Sequence, residues 1–501
     1  MKKNIYVLNP DYIIQNDVTR YFLYNNLHLN NGSSLVKTFL HPIQALVFSY
    51  FTFEPRTLQE NVSFISKAIG YNEDDVLKMI EPFLENQKPK LLKYKDTKIV
   101  IPKNFLIKFD KLRNKYLPLK LNVSINMDIE TVDIKTKRLN VAPYMITFML
   151  TNRCCTKCCY CYADTSTQIT NLIPTKRIIE IIHKAKRLGI YNINVIGGEV
   201  FLHKDWHIIL KSIVDEGFSP PIISTKIPIT EEIAEKIHYT GFHENLQLSL
   251  DSLNAEVLCK TLKVGIDYIT NIKKGIKILE EKKIPYQIET VLTKLTATKD
   301  NIEEMFHFFS KMKYVTRWEI RTASYSIYKN EHNFNILKSD KKSLNNLFDF
   351  IDAKIKTIAP IEILASSEDI NKKYYTSRDG CCSFKGNKCS ALNNHIFILP
   401  DGKVTICEQL YWNPDFIIGD INSASIEEIW NSPRALALAN LEREDIHDSS
   451  ACKSCHFFDM CFHIDRNRCW ANIIKAYGKN NWDYPDPRCA YAPIMKNKIT
   501  Y

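Results

Sequence analysis

Five cysteines stand within the eight positions from Cys154 to Cys161, in the stretch "TNRCCTKCCYCYAD". So many thiols in so short a span cannot all face one site. Cys154, Cys158 and Cys161, with three and two residues between them, are the set that one tight loop can present together. Three thiolates can ligate three irons of a 4Fe–4S cube and leave the fourth iron open to another ligand. A structural zinc would need a fourth protein ligand nearby, and the next cysteine along the chain is Cys259. Cys155 and Cys159 are then spare thiols, small and easily packed. The chain holds fifteen cysteines in all and shows no export signal, which favours metal or cluster ligation over disulfides.

Three further groups follow the cysteines. "GGE" places Gly197 and Gly198 before Glu199. The glycines let the backbone come close to a ligand, and a carboxylate there can accept from an ammonium. "ISTKI" carries Ser224 and Thr225, and "LSLDS" carries Ser249 and Asp251. Any one of these alone reads equally well as a helix cap or a turn. Their recurrence at the end of successive apolar runs argues for one shared site.

Those apolar runs supply the frame. "YMITFML", "NINVIGGE", "PIISTKI", "LQLSLDS", "YQIETVLT" and "RWEIRTAS" read as strands. Between them lie helical patterns such as "TKRIIEIIHKAKRLG", where Ile178, Ile181, Ile182, Ala185 and Leu188 share one face. Six such alternations over residues 142–330 predict an α/β fold, a parallel sheet closing partly into a (β/α)6 TIM-like barrel. Chemistry in such sheets sits at the carboxyl ends of the strands. Residues 331–380 read as a bridging helical segment and 381–501 as a second cysteine-rich domain.

Ahead of the barrel, residues 1–110 combine strand material, helices and a hairpin around Asp96 and Thr97. Thr57 and Glu60 have capping-box spacing, Gly70 ends that helix, and Asn72 caps the next. This order suggests a winged helix-turn-helix, with residues 111–141 as a connector. Charge argues against DNA binding, because Glu73, Asp74, Asp75, Glu81 and Glu85 surround only Lys78 on the second helix and its extension. A solvated helical cap and peptide recognition along a strand edge are the remaining readings, with the second favoured. The net charge of +11 is spread without a run of five basic residues, so no nucleic-acid partner is expected. The apolar runs are too short to cross a bilayer, and a cytoplasmic location with no membrane partner is expected.

The spacing of "CCTKCCYC" resembles the CxxxCxxC signature of the radical S-adenosylmethionine (radical SAM) enzymes, with Tyr160 as the aromatic residue before the last cysteine. The resemblance implies that Cys154, Cys158 and Cys161 hold a 4Fe–4S cluster. By the same resemblance Glu199 holds the amino group of S-adenosylmethionine. Tyr160, Gly197, Gly198, Ser224, Thr225, Ser249 and Asp251 fall at cofactor-binding positions, with Ser249 and Asp251 near the ribose. Many relatives carry an arginine after the fourth strand; here "EVLCKTLKVG" offers Lys263 instead, which lacks the bidentate geometry.

The tail is similar to the SPASM domain, which in relatives holds two auxiliary 4Fe–4S clusters. Gly402 with Cys407 gives Gly-x4-Cys on a hairpin turned by "PDG", and Cys452, Cys455 and Cys461 give Cys-x2-Cys-x5-Cys. The family's order implies one cluster on Cys381 or Cys382 with Cys389, Cys407 and Cys469. It implies a second on Cys452, Cys455, Cys461 and Cys489. Seven residues separate Cys461 from Cys469 where the family has three, and zinc remains the alternative occupant of Cys-x2-Cys pairs.

A winged helix, radical core and SPASM tail together resemble maturases of ribosomally made peptides, of the sactisynthase or thioether type. The resemblance implies abstraction of a hydrogen from a precursor peptide by a 5′-deoxyadenosyl radical, forming a thioether or other crosslink. Flavodoxin or ferredoxin is the implied electron donor. The alternatives are modification of a protein side chain, as in sulfatase-activating relatives, action on a small molecule, and a catalytically silent peptide-binding scaffold.

Overall fold

Aromatic and branched apolar residues form the first strands of the chain, seen in a computed structural model. The structure describes residues 4–25, 37–52, 54–109, 121–123, 132–136, 138–328, 337–366, 389–465 and 468–497. The chain divides into two compact units, residues 1–141 and 142–501.

In the first unit β1 (Ile5–Leu8) pairs antiparallel with both β5 (Arg56–Thr57) and β8 (Leu106–Lys108). The strands β2 (Tyr12–Asn16), β3 (Tyr21–Asn25) and β4 (Lys37–Leu40) form an antiparallel sheet, and β6 (Lys90–Tyr94) and β7 (Thr97–Ile101) form the hairpin. Helix α1 (Pro42–Ser49) starts on His41, whose Nδ1 accepts from the Ile43 amide at 3.2 Å. Helix α2 (Leu58–Ile69) has the Thr57/Glu60 capping box and ends on Gly70 at φ +75°. Helix α3 (Glu73–Ile80) starts on Asn72.

The stretch expected to be a connector is tied into this unit where it is described. Arg20 and Asp17 form a buried ion pair at 2.8 Å. Arg20 also donates to the carbonyls of Asp133 at 3.0 Å and Thr136 at 2.5 Å, and Asn140 donates its amide to Asp17 at 2.6 Å. Backbone acceptors of this kind leave no hydrophobic period, which is why the pattern of residues 132–140 looked weak.

In the second unit every expected strand is present. They are β9 (Met145–Met149), β10 (Asn192–Ile196), β11 (Ile222–Thr225), β12 (Asn245–Ser249), β13 (Tyr286–Leu292) and β14 (Val315–Thr322). β11 to β14 run parallel in chain order, β9 is parallel to β10, and the ladder is interrupted between β10 and β11. Ile178, Ile181, Ile182 and Ala185 are the buried face of α4 (Thr175–Arg187). Helices α5 (Trp206–Asp215), α6 (Glu231–Thr240), α7 (Ala255–Leu262), α8 (Tyr268–Glu281) and α9 (Lys299–Phe309) complete the crossovers.

Two additions extend the six-strand expectation. After helix Lys341–Phe350, β15 (Glu362–Ser366) joins parallel to β14. From the tail, β16 (His395–Ile398) pairs parallel with β9 and antiparallel with β17 (Lys403–Thr405), which pairs with β18 (Ile417–Asp420). The turn between β16 and β17 needs a glycine. Gly402 has φ +95°, and a Cβ there would meet Asn422 Nδ2 at 2.0 Å.

Candidate functional site

The loop after β9 is anchored from both sides. Lys157 donates its amide to Leu262 O at 2.8 Å and Cys159 its amide to Thr261 O at 2.9 Å, so the last turn of α7 carries the middle of the loop. Thr156 Oγ1 lies 3.1 Å from Cys158 Sγ and 3.5 Å from Cys154 Sγ, and the Cys161 amide donates to Cys158 O at 3.2 Å. Cys158 is buried, Cys154 and Cys161 are half-buried, and spare Cys155 is exposed. Burial pushes the Cys158 thiol up, while hydrogen bonds from Cys155 and Thr156 pull Cys154 down to about 5. Among the described residues no three His, Cys, Asp or Glu side chains converge as a single-ion site. The donor set fits a cluster: three thiols from one braced loop, one already favouring its thiolate.

Gly197 and Gly198 serve this loop directly. A Cβ on Gly198 would lie 2.3 Å from Arg153 O and 2.6 Å from Asn152 O. The Gly198 amide donates to Thr151 O at 2.6 Å and the Glu199 amide to Arg153 O at 2.8 Å. The close approach predicted for a ligand is here an approach to the cysteine loop's own backbone. Glu199 also caps the short turn Val200–Leu202, so the local capping reading holds as well.

Glu199 is 1% exposed. Thr225 Oγ1 donates to both its carboxylate oxygens at 3.0 Å, and the Lys226 amide donates at 2.9 Å. Burial nevertheless raises its carboxyl to about 7 against those hydrogen bonds. An ammonium placed there would restore the charged form. Thr225 therefore orients Glu199, while Ser224 is exposed with its hydroxyl 3.3 Å from that of Ser249.

Asp251 is fully buried and its carboxylate is occupied by the protein. Tyr160 donates a short hydrogen bond to it, and the Val291 amide donates at 2.9 Å. Lys226, which sequence reading passed over, stands 3.9 Å from it and donates to Tyr160 at 3.1 Å and to Ser249 O at 3.0 Å. Burial works against the Lys226 charge, but Asp251, Cys158, Glu289 and Cys161 outweigh it and hold its ammonium above the usual range. Lys263 is exposed at the left-handed end of α7, φ +58°. The largely buried cation beside the cysteines is thus Lys226. His203 and Asp205 brace the start of α5, where Asp205 accepts from Thr175 at 2.6 Å.

Sequence reading also missed a polar ladder along the strands. Gln287 donates to Gln247 at 2.8 Å and accepts from Arg317 at 2.8 Å, while Gln247 donates to Ser224 at 3.1 Å and, through a short bond, to Glu289. Arg321 pairs with Glu319 at 2.7 Å and faces Glu289 at 3.5 Å. Polar residues at every second position of β12 to β14 were the available signal.

The tail brings two groups together. Cys452, Cys455, Cys461 and Cys489, the second expected set, line one small pocket. Cys389 and Cys461 line another. Cys407 and Cys469 are half-buried; desolvation pushes both thiols up, with Cys469 and Cys389 adding to the effect on Cys407. Cys381 and Cys382 lie outside the described residues.

Residues 148–309 match the radical SAM superfamily, and residues 389–456 match the SPASM iron–sulfur cluster-binding domain. The chain carries a radical SAM domain followed by a SPASM domain. The pair implies S-adenosylmethionine and 4Fe–4S as cofactors. Cys461, Cys469 and Cys489 fall beyond the matched SPASM span.

Among relatives, a probable GTP 3′,8-cyclase of Methanocaldococcus jannaschii is 33% identical over 132 residues, 26% of this chain and 44% of that protein. The chain thus spans less than half the length of that relative. The mycofactocin maturase MftC of Mycolicibacterium smegmatis is 21% identical over 355 residues, 70% of this chain and 83% of MftC. The crystal structure of Streptococcus suis SuiB shares the fold with a TM-score of 0.62 at 17% identity, over 96% of this chain and 99% of that one. SuiB is also known with the precursor peptide SuiA or S-adenosylmethionine bound. No helix among the described residues is long and apolar enough to cross a membrane.

Proposed function

We propose that this chain is a radical SAM maturase acting on a ribosomally made precursor peptide. The observation that carries the reading is the buried carboxylate of Glu199, held by Thr225 and Lys226 and tied through its own amide to the residue before Cys154. Cys154, Cys158 and Cys161 would hold the cluster. Glu199 would receive the amino group of S-adenosylmethionine, with Ser224 and Ser249 on the open side of the same strand ends. When bound, the cluster and nucleotide supply one electron and a 5′-deoxyadenosyl radical that takes a hydrogen from the peptide.

The protein's own share is positioning. Thr225 fixes Glu199, and Lys226 balances the acids and thiols beneath the site. The ladder from Gln247 to Arg321 lines a polar interior able to hydrogen-bond a peptide backbone. The peptide class is supported by the likeness to MftC and SuiB, and the first unit, with its β6–β7 hairpin and exposed strand edges, is the proposed leader-binding domain. In the tail, Cys389, Cys407 and Cys469 would hold one auxiliary cluster with Cys381 or Cys382, and Cys452, Cys455, Cys461 and Cys489 the other. The finer proposal is a thioether or related crosslink, in a cytoplasmic reaction driven by flavodoxin or ferredoxin.

The test is incubation of the reduced, reconstituted chain with S-adenosylmethionine and a short peptide encoded beside its gene. 5′-Deoxyadenosine should accumulate and the peptide should lose two hydrogens. No 5′-deoxyadenosine with any peptide would favour a silent scaffold; an unchanged peptide mass with turnover would favour epimerisation over crosslinking.

A further inference from the structure

The tail contains a buried cation that no acid contacts among the described residues, although the charges of Asp486 and Asp483 act on it from farther away. Arg468 is 6% exposed and forms no ion pair among the described residues. Its guanidinium lies 3.7 Å from the ring centroid of Phe462 and 5.2 Å from that of Trp470. It donates one long hydrogen bond, Nη2 to Trp482 O at 3.5 Å, and its Nε has no partner. Of the acids nearby, Asp486 takes two hydrogen bonds from Arg488, at 2.8 and 2.9 Å, and Asp483 accepts from the His447 amide at 2.7 Å; neither lies within ion-pair distance of Arg468. A buried charge without compensation is strongly disfavoured.

The compensation faces the pockets. Arg468 lines both of them, beside Cys461 in each, and shares one with Cys452, Cys455 and Cys489. Four thiolates around a 4Fe–4S cube carry a charge of about −2. We propose that Arg468 is the counter-cation of the cluster held by Cys452, Cys455, Cys461 and Cys489, and that its charge raises the reduction potential of that cluster. The inference rests on the reading of these cysteines as cluster ligands. Reduction adds a negative charge, so a fixed cation stabilises the reduced form more than the oxidised one. The flat guanidinium stacked on Phe462 holds the charge in place more rigidly than a lysine would.

The test uses the full chain with Cys154→Ala, Cys158→Ala and Cys161→Ala, so that only tail clusters are reconstituted. Iron and sulfide are counted, and the clusters are titrated with dithionite under electron paramagnetic resonance for the parent, Arg468→Lys and Arg468→Gln. The expected result is retained iron in all three. One cluster in Arg468→Gln should show a tenfold lower reduced-to-oxidised ratio at fixed potential, about 59 mV for one electron, and Arg468→Lys a smaller shift. A parent that binds zinc or no iron removes the cluster reading and the proposal together. An iron-loaded Gln variant that titrates like the parent leaves the clusters and overturns the proposal. Should the Gln variant lose its iron, Arg468→Lys decides: a retained cluster supports the role of charge, and a lost one shows that shape alone matters.

Discussion

Glu199 concentrates the chemistry of the barrel in one side chain. Its carboxyl is raised from an ordinary 4.5 to about 7, so the folded, cofactor-free chain keeps a proton that the unfolded chain has released. The associated stability is present below pH 4.5 and is lost as pH rises through about 7, by on the order of 3 kcal/mol. Urea unfolding of the cofactor-free chain should therefore show falling stability between about pH 5 and about pH 8, and Glu199→Gln should lose that slope. A slope that survives the substitution would assign it to other groups. The same variant should bind S-adenosylmethionine roughly tenfold or more weakly with its iron intact, since a charge-assisted hydrogen bond is lost. Glu199 was legible because a carboxylate after two glycines stands out. Lys226 was not, because a lysine at a strand end usually reaches solvent; only the folded chain puts Tyr160, Ser249 and Asp251 around it.

At the level of elements, the meeting of β9 with β10 is held by backbone as much as by side chains. Gly198 lies under Arg153 and Asn152, with no room for a methyl group. Gly198→Ala must push the cysteine loop outward. The expected outcome is loss of about four irons per chain, one cluster, with the tail clusters kept; full iron content would show that the loop can shift without penalty. The six strands were readable because each is a short apolar run followed by a turn or helix cap. β15 was not, because "EILAS" is short and falls in a segment expected to be helical. The β16–β17 hairpin was read from "PDG", but its parallel partner β9 lies about 250 residues earlier, and no local pattern encodes so distant a pairing.

For the molecule as a whole, residues 1–141 and 142–501 are separate compact units with different tasks under the proposal. Deleting residues 1–141 should leave slow, peptide-independent cleavage of S-adenosylmethionine and abolish modification of a full-length precursor. Unchanged modification would favour the side-chain-modifying alternative, which needs no leader-binding domain. The acidic face of α3 was enough to set DNA aside from sequence. The pinning of Asp133, Thr136 and Asn140 by Arg20 and Asp17 was invisible there, because it depends on backbone carbonyl and amide groups that do not distinguish one residue from another.

The parallel pairing of β16 with β9, reinforced by the buried 2.7 Å contact between Thr147 Oγ1 and His395 Nε2, makes the tail a structural wall of the barrel. The tail is therefore no detachable appendage. A chain ended before residue 389 would leave the strand that launches the cysteine loop as a bare margin of unpaired amides, an invitation to self-association. Truncations meant to isolate the first cluster should instead disturb the strand on which it hangs.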